Sequence, residues 1–232
     1  MSDGGVSDGN GGGDVSGVAW GGRGDSGPVL GVRRAGQRAL LVDVSNAASA
    51  MRLAGWLRTQ ELACTDVVPA ARTVLVDGVD VSELGALLRA WDGGDLGEVA
   101  DEGVAVRRVE VPVRYDGPDL RTVAARWDVH PDEVVRRHTA LEFVSVFCGF
   151  APGFAYLDGL PPEWAVPRLD TPRTRVPAGA VGLADRWCAV YPTASPGGWL
   201  LLGTTTTPVW DLGAPDGPAL LRPGTRVRFV AT

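Results

Sequence analysis

The chain predicts an α+β protein in two parts: a small split βαβ-type unit, then a closed or nearly closed β-barrel with helices packed on one side. Two observations carry this. Between residues 29 and 91, apolar runs alternate between strand and helix periodicity. After residue 143, short apolar runs recur between Pro and Gly punctuation with no helical period between them.

The stretch ahead of residue 29 is dominated by Gly, Ser and Asp. It carries too little apolar surface to offset the entropy of ordering, so it reads as a flexible tail. Residues 29–32 and 39–44 read as strands around a polar turn. Ser45 or Asn46 offers a helix cap, and 47–61 places Met51, Ala54, Leu57 and Leu62 at helical spacing. Residues 66–69 and 73–77 form a strand pair, and 82–91 a second helix that stops near Gly93-Gly94. The run 104–115 is expected to close this unit, giving a first domain over 29–110 and a second over 111–232.

Gly117-Pro118-Asp119-Leu120 opens a third helix, and His130-Pro131-Asp132-Glu133 a fourth. In the fourth, Pro131 suits the first helical position and the acids oppose the helix dipole. His130 therefore belongs to a helix start. The second histidine, His138, ends that helix, either bonded to its last carbonyls or free for chemistry. Strands follow at 143–147, 179–183, 188–191, 199–202, 209–212 and 226–230.

Composition narrows the chemistry. The formal charge of −6 argues against a general nucleic-acid or anionic-membrane binder. Every basic side chain is arginine, which rules out lysine Schiff-base chemistry and a P-loop lysine. Three cysteines, far apart and without paired spacing, fit a reducing compartment and give no zinc site, so no metal is expected. No run approaches the roughly 20 apolar residues of a membrane helix, and no signal peptide is seen; a cytoplasmic location follows by default.

Three segments of the second half combine Gly or Pro with polar groups: 149–157, 167–179 and 192–199. In the first, Gly149, Phe150, Pro152, Gly153 and Phe154 form a rigid bend, which is either a core corner or a pocket wall. In the second, Arg168 and Arg173 stand beside prolines that hold them as bidentate anion receptors or as surface ion-pair partners. There is no nucleophile elbow and no histidine pair at metal spacing. If the chain belongs to an enzyme, it is one part of it.

These same residues carry a resemblance. Gly117-Pro118-Asp119-Leu120, His138-Thr139, Gly149 through Leu157, Pro167-Arg168, Pro172-Arg173, Val176-Pro177-Ala178-Gly179, Val190-Tyr191-Pro192, Ser195-Pro196-Gly197-Gly198-Trp199 and Leu221-Arg222-Pro223-Gly224 follow in order. In that order they resemble the family of 5-oxoprolinase B subunits, also described as KipI-like or allophanate hydrolase subunit 1. The resemblance implies a cyclophilin-like barrel for the second domain. It also implies a cytoplasmic complex with two companions, a KipA-like C subunit and a LamB/YcsF-like A subunit, opening 5-oxoproline to glutamate with ATP. In that setting Arg168 and Arg173 would bind anionic groups and His138 would act as acid/base or orienting group. The lining would come from Gly149, Phe150, Pro152, Gly153, Phe154, Pro177, Gly179, Trp187, Tyr191, Gly197, Gly198 and Trp199. Two alternatives are a KipI-like inhibitor of a histidine kinase and a diverged member that takes another amide or urea-type ligand. The second is motivated by departures from the family pattern: Trp187 within Asp185-Arg186-Trp187-Cys188-Ala189 where Gly-x-Gln-Thr-Gly is usual, Ala180 for serine, Leu200 for glutamine, and Thr204 for a polar or basic residue.

Overall fold

The computed structural model describes residues 29–93 and 107–232; the Gly-rich stretch ahead of Val29 and the first residues of the 104–115 run lie outside them. The first unit runs β1 (Val29–Ala35), β2 (Ala39–Val44), α1 (Ala47–Thr59), β3 (Asp66–Pro69), β4 (Thr73–Asp77) and α2 (Val81–Ala90). Its sheet order is β1-β2-β4-β3, with antiparallel neighbours throughout. Strands β2 and β3 therefore run parallel with β4 between them and α1 as the crossover, the expected split βαβ. Asn46 caps α1 by accepting from the Ser49 amide, and Asp80 caps α2 by accepting from Ser82 and Glu83. Alternate residues of the sheet, Leu40, Val42, Val44, Val74 and Val76, bury against Leu53, Leu57, Leu84 and Leu88 of the helices.

The second part contains β5 (Arg108–Val113), α3 (Leu120–Arg126), α4 (Pro131–Ala140), β6 (Phe143–Cys148), β7 (Ala155–Asp158), β8 (Arg173–Val176), β9 (Ala180–Ala184), β10 (Trp187–Val190), β11 (Ser195–Gly197), β12 (Leu200–Thr204) and β13 (Arg226–Ala231). Seven of these strands form one sheet in the order β12-β9-β10-β7-β6-β13-β5. Its edges meet where Arg114, just past β5, exchanges two backbone hydrogen bonds of 2.9 Å with Thr204 at the end of β12. That bridge closes the barrel. Strands β8 and β11 form a separate two-stranded flap.

Two expectations need correction. The run 104–115 does not close the first unit, because β5 pairs in parallel with β13, Arg108 opposite Arg226 through Val113 opposite Ala231. Val111 and Val113 then bury in the barrel beside Val227 and Phe229, so the barrel begins before residue 111. Residues 209–212 are not a strand. Pro208 and Gly213 bracket them, and only an isolated bridge from Trp210 to Ala219 remains.

The barrel strands present two different faces. Val181, Leu183, Cys188, Val190, Leu200 and Leu202 fill the interior. The alternate residues Ala180, Ala184, Ala189, Tyr191 and Leu201 belong to a second cluster with Phe154, Val176 and Trp199. Period-2 geometry puts these two sets on opposite sides of the wall. At the barrel's edge Gly117 lets the start of α3 lie against β12, since a Cβ there would overlap the Leu201 carbonyl.

Candidate functional site

The second cluster is built around Phe154, which is 2% exposed. Its ring meets Phe150, Tyr156, Tyr191 and Trp199 edge to face, with centroids 5.2, 5.2, 5.3 and 5.4 Å away. Such contacts match the positive ring edge to the negative face and add specific geometry to the burial. The hairpin between β6 and β7 is locked by Gly149 N–H to the Phe154 carbonyl, 3.2 Å, and Phe154 N–H to the Ala151 carbonyl, 3.0 Å. The bend has two sides: Phe154 makes it a corner of the buried cluster, and Phe150, 63% exposed, leaves an aromatic face open to solvent.

Phe150 also has φ +73°, a left-handed conformation that a bulky residue adopts at a cost of about 1–2 kcal/mol. Strain retained at an exposed aromatic is a pointer to use. Phe150→Gly is therefore expected to keep stability within about 1 kcal/mol, relief of strain offsetting the lost ring contact, while weakening ligand binding. Denaturant unfolding of the variant beside its ligand response checks this; a large stability loss would make Phe150 a core residue.

The flap supplies the facing elements. Arg168 is exposed, with its guanidinium carbon 5.9 Å from the centre of the Trp199 ring. No ion pair within 4 Å is made by Arg168 among the described residues. The segment carrying it is tied down by Leu169 N–H to the Gly198 carbonyl, 2.7 Å. Gly197 leaves room for the Tyr191 hydroxyl, which a Cβ would overlap. Burial pushes the Tyr191 phenol above its usual range, while the neighbouring Trp199 backbone and the positive charges of Arg168 and Arg173 pull it back.

Arg173 is placed differently. Its Nη2 donates to both carboxylate oxygens of Asp119 at 2.7 and 2.8 Å, and Nη1 donates to the Trp199 carbonyl at 3.2 Å. Asp119 also accepts from the Leu201 amide at 2.7 Å and is 6% exposed. Arg173 thus spends its charge and three of its five N–H donors on the protein, whereas Arg168 is the arginine of the expected pair that makes no ion pair among the described residues. Asp119 was legible only as part of a helix start; it makes no capping bond, because its carboxylate faces the flap.

His138 lies outside this surface. It is 0% exposed and belongs to the opposite face of the barrel wall, stacked on Phe229 with ring centroids 4.7 Å apart. Its Nδ1 is 2.7 Å from the Tyr115 hydroxyl and its Nε2 3.4 Å from the Cys188 sulfur. Burial lowers its pKa to about 3, leaving a neutral imidazole in the core. Both ring nitrogens are spent there, which answers the choice between helix carbonyls and chemistry with neither. His130 is the α4 cap, as read, with Nδ1 facing the Asp132 amide at 3.4 Å.

The remaining predicted residues divide. Phe150, Phe154, Tyr191, Gly197, Gly198, Trp199 and Arg168 come together. Gly149 and Pro152 are exposed on the hairpin, and Gly153 is buried against Trp210. Pro177 is exposed beside the flap, and Gly179 reaches the surface only through its N–H to the Tyr191 carbonyl, 2.8 Å. Trp187 sits at the cluster's far edge, meeting Phe147 at 5.4 Å and Tyr156 at 6.2 Å in an apolar group with Ala47 and Met51. It packs as well against the cluster of Phe154, Tyr191 and Trp199, so it borders both apolar groups. Of the other departures, Leu200 points into the barrel interior, Thr204 bonds Asp116 at 3.1 Å, and Ala180 alone lies in the aromatic cluster. A groove between α3 and α4, lined by Leu120, Arg121, Val129 and His130 among others, contains none of the predicted site residues. Among the described residues no group of His, Cys, Asp and Glu is placed to hold a metal, and no helix is long and apolar enough to cross a membrane.

Residues 30–221 match the family described as carboxyltransferase domain, subdomain C and D. The chain belongs to this family. Curated relatives named as the B subunit of 5-oxoprolinase bear out the resemblance seen in the motifs. The relative from Escherichia coli O157:H7 is 48% identical over 127 residues, 53% of this chain and 58% of that one. The relative from Bacillus subtilis (strain 168) is 43% identical over 139 residues, 58% of each. The match thus spans little more than half the length of these relatives. Among solved structures, TTHA0988 is 35% identical with TM-score 0.67, over 84% of this chain and 40% of that one. PH0987 from Pyrococcus horikoshii is 29% identical with TM-score 0.52, over 87% and 97%. The urea amidolyase of K. lactis, 19% identical with TM-score 0.65 over 88% of this chain and 16% of that one, shares the fold.

Proposed function

We propose that this chain is one component of a cytoplasmic, ATP-dependent 5-oxoprolinase that opens 5-oxoproline to glutamate, working with KipA-like and LamB/YcsF-like partner subunits. The observation that carries the reading is the 39–48% identity to three relatives named as the B subunit of 5-oxoprolinase. The site supports it. The Arg168 guanidinium, unspent and backed by the Trp199 ring, presents a planar donor pair to a carboxylate, and the Phe150 edge covers the apolar side of a small ring.

An unactivated lactam resists water, and activating its oxygen with ATP is a sound use of the nucleotide. With neither lysine nor a glycine-rich loop ending in Lys-Ser or Lys-Thr, this chain offers no P-loop-type triphosphate site. ATP is assigned to the companion subunits, and this chain's part is to bind, orient and exclude water.

The test is reconstitution with the companion subunits and measurement of ATP hydrolysis that depends on 5-oxoproline. A complex that forms without such activity sinks the proposal. In an active complex Arg168→Gln is expected to raise KM for 5-oxoproline about tenfold or more, the loss of one charge-assisted contact, with an unchanged melting temperature. Wild-type KM in that variant removes Arg168 from the site.

A second reading, a KipI-like inhibitor docking on a histidine kinase, is favoured by one feature. Phe150 is 63% and Leu212 82% exposed, on loops that touch where Gly153 packs on Trp210. Inhibition of kinase autophosphorylation by the purified chain, lost in Leu212→Ser, would select it.

A further inference from the structure

The geometry points to Asp119 and Arg173 as a positioning pair: together they fix the Trp199 backbone, and through its indole they set the place of the Arg168 guanidinium that meets the ligand's carboxylate. The inference rests on the reading of Arg168 given above and changes the role of Arg173 from receptor to support.

Three hydrogen bonds converge on one short segment. Arg173 Nη1 donates to the Trp199 carbonyl at 3.2 Å, which holds this residue's backbone to the flap. Two residues on, the Leu201 amide donates to Asp119 Oδ2 at 2.7 Å, and the Asp119 amide donates back to the Leu201 carbonyl at 3.1 Å. Asp119 therefore ties the start of α3 to β12, and Arg173 ties that tie to the flap. The pair's burial, 27% exposure for the Arg173 side chain and 9% for that of Asp119, makes these bonds hard to exchange for water. Three of the five guanidinium N–H donors of Arg173 are committed to protein acceptors, and its charge is paired with Asp119. What this arrangement fixes is the ring over which Arg168 lies, 5.9 Å away, and cation–π placement is sensitive to where that ring sits.

Asp119→Asn separates the two roles. It keeps the side chain's shape, removes its charge, and frees the Arg173 fork. If Arg173 touches the ligand, the complex should bind 5-oxoproline as well as before, or more tightly. If Arg173 positions, KM should rise about tenfold with kcat held within about twofold, as expected for a loss of uniform binding. Arg173→Lys, which keeps one ion-pair contact and loses the fork, should fall between Asp119→Asn and wild type. A second arm on the purified chain follows backbone hydrogen exchange at Trp199 and Leu201. Both amides should exchange at least about tenfold faster in Asp119→Asn and in Arg173→Lys, the sign of local opening. Unchanged KM in Asp119→Asn, or unchanged exchange in both variants, overturns the assignment. If the wild-type complex shows no dependence on 5-oxoproline, the functional reading fails by itself, and the exchange arm still decides whether the pair holds this wall.

Discussion

Removing Arg173 alone, as Arg173→Ala, is expected to destabilise the fold by about 3 kcal/mol, the low end for breaking a buried ion pair because the arginine keeps some solvent contact. The cost arises at Asp119. Its carboxylate is 6% exposed, and without the guanidinium it retains only the Leu201 amide as a partner. A charge left so poorly compensated is expensive in a low-dielectric surround. The opposite design should be far milder: replacing both partners with apolar residues of similar volume, Asp119→Leu with Arg173→Met, removes desolvation and attraction together. Denaturant unfolding of the two single variants and the double gives the coupling directly. If the single variants lose no more stability than an exposed surface ion pair typically contributes, about 1 kcal/mol or less, Asp119 is not the buried anchor described above. The result also bears on activity assays, since a dead Arg173→Ala complex would report a damaged flap and say nothing about ligand contact.

Much of the architecture was legible because burial imposes period. Strand β2 reads as an apolar run broken only by Asp43, its burial alternates from Leu40 to Val44, and the split βαβ follows from element order once those strands are found. What sequence periodicity could not give was the partner of a strand. Run 104–115 has a good strand pattern, but its mate β13 lies at the far end of the chain, and pairing across that distance leaves no local mark. The flap strands β8 and β11 were hidden for another reason. At four and three residues, among prolines and glycines, they carry no readable alternation. The site shows the same limit. Arg168 and Arg173 each follow a proline and look equivalent in sequence. The difference is a carboxylate 54 residues away from Arg173. Likewise Trp187 reads as a pocket residue from its place in a motif, while in the fold it is shared between the aromatic cluster and an apolar group that includes Ala47 and Met51 of the first unit.

His138 gives the other large effect, and its sign is fixed by burial. The native pKa is lowered from the ordinary value near 6.5 to about 3, because a charged imidazole between Phe143, Phe229, Tyr115 and Cys188 would be desolvated without an opposing charge. Between these two values the unfolded chain binds a proton that the native state refuses. Stability from this group is therefore complete above about pH 6.5, falls as pH drops from there toward 3, and changes no further below that. The full span is on the order of 5 kcal/mol, with a slope approaching 1.4 kcal/mol per pH unit in the middle of the window. Unfolding measured from pH 7 to pH 4.5 should show this slope in the wild type and lose most of it in His138→Gln, whose side chain stays neutral throughout. Carboxylates that are held below their usual range, such as Glu133 on its two arginines, titrate lower and are common to both proteins, so they cancel in the difference. Equal slopes would mean that water reaches His138 and that the core assignment is wrong. The same variant decides its catalytic part: a group at about pKa 3 cannot produce an inflection in kcat near pH 6.5, so any such inflection should survive in His138→Gln.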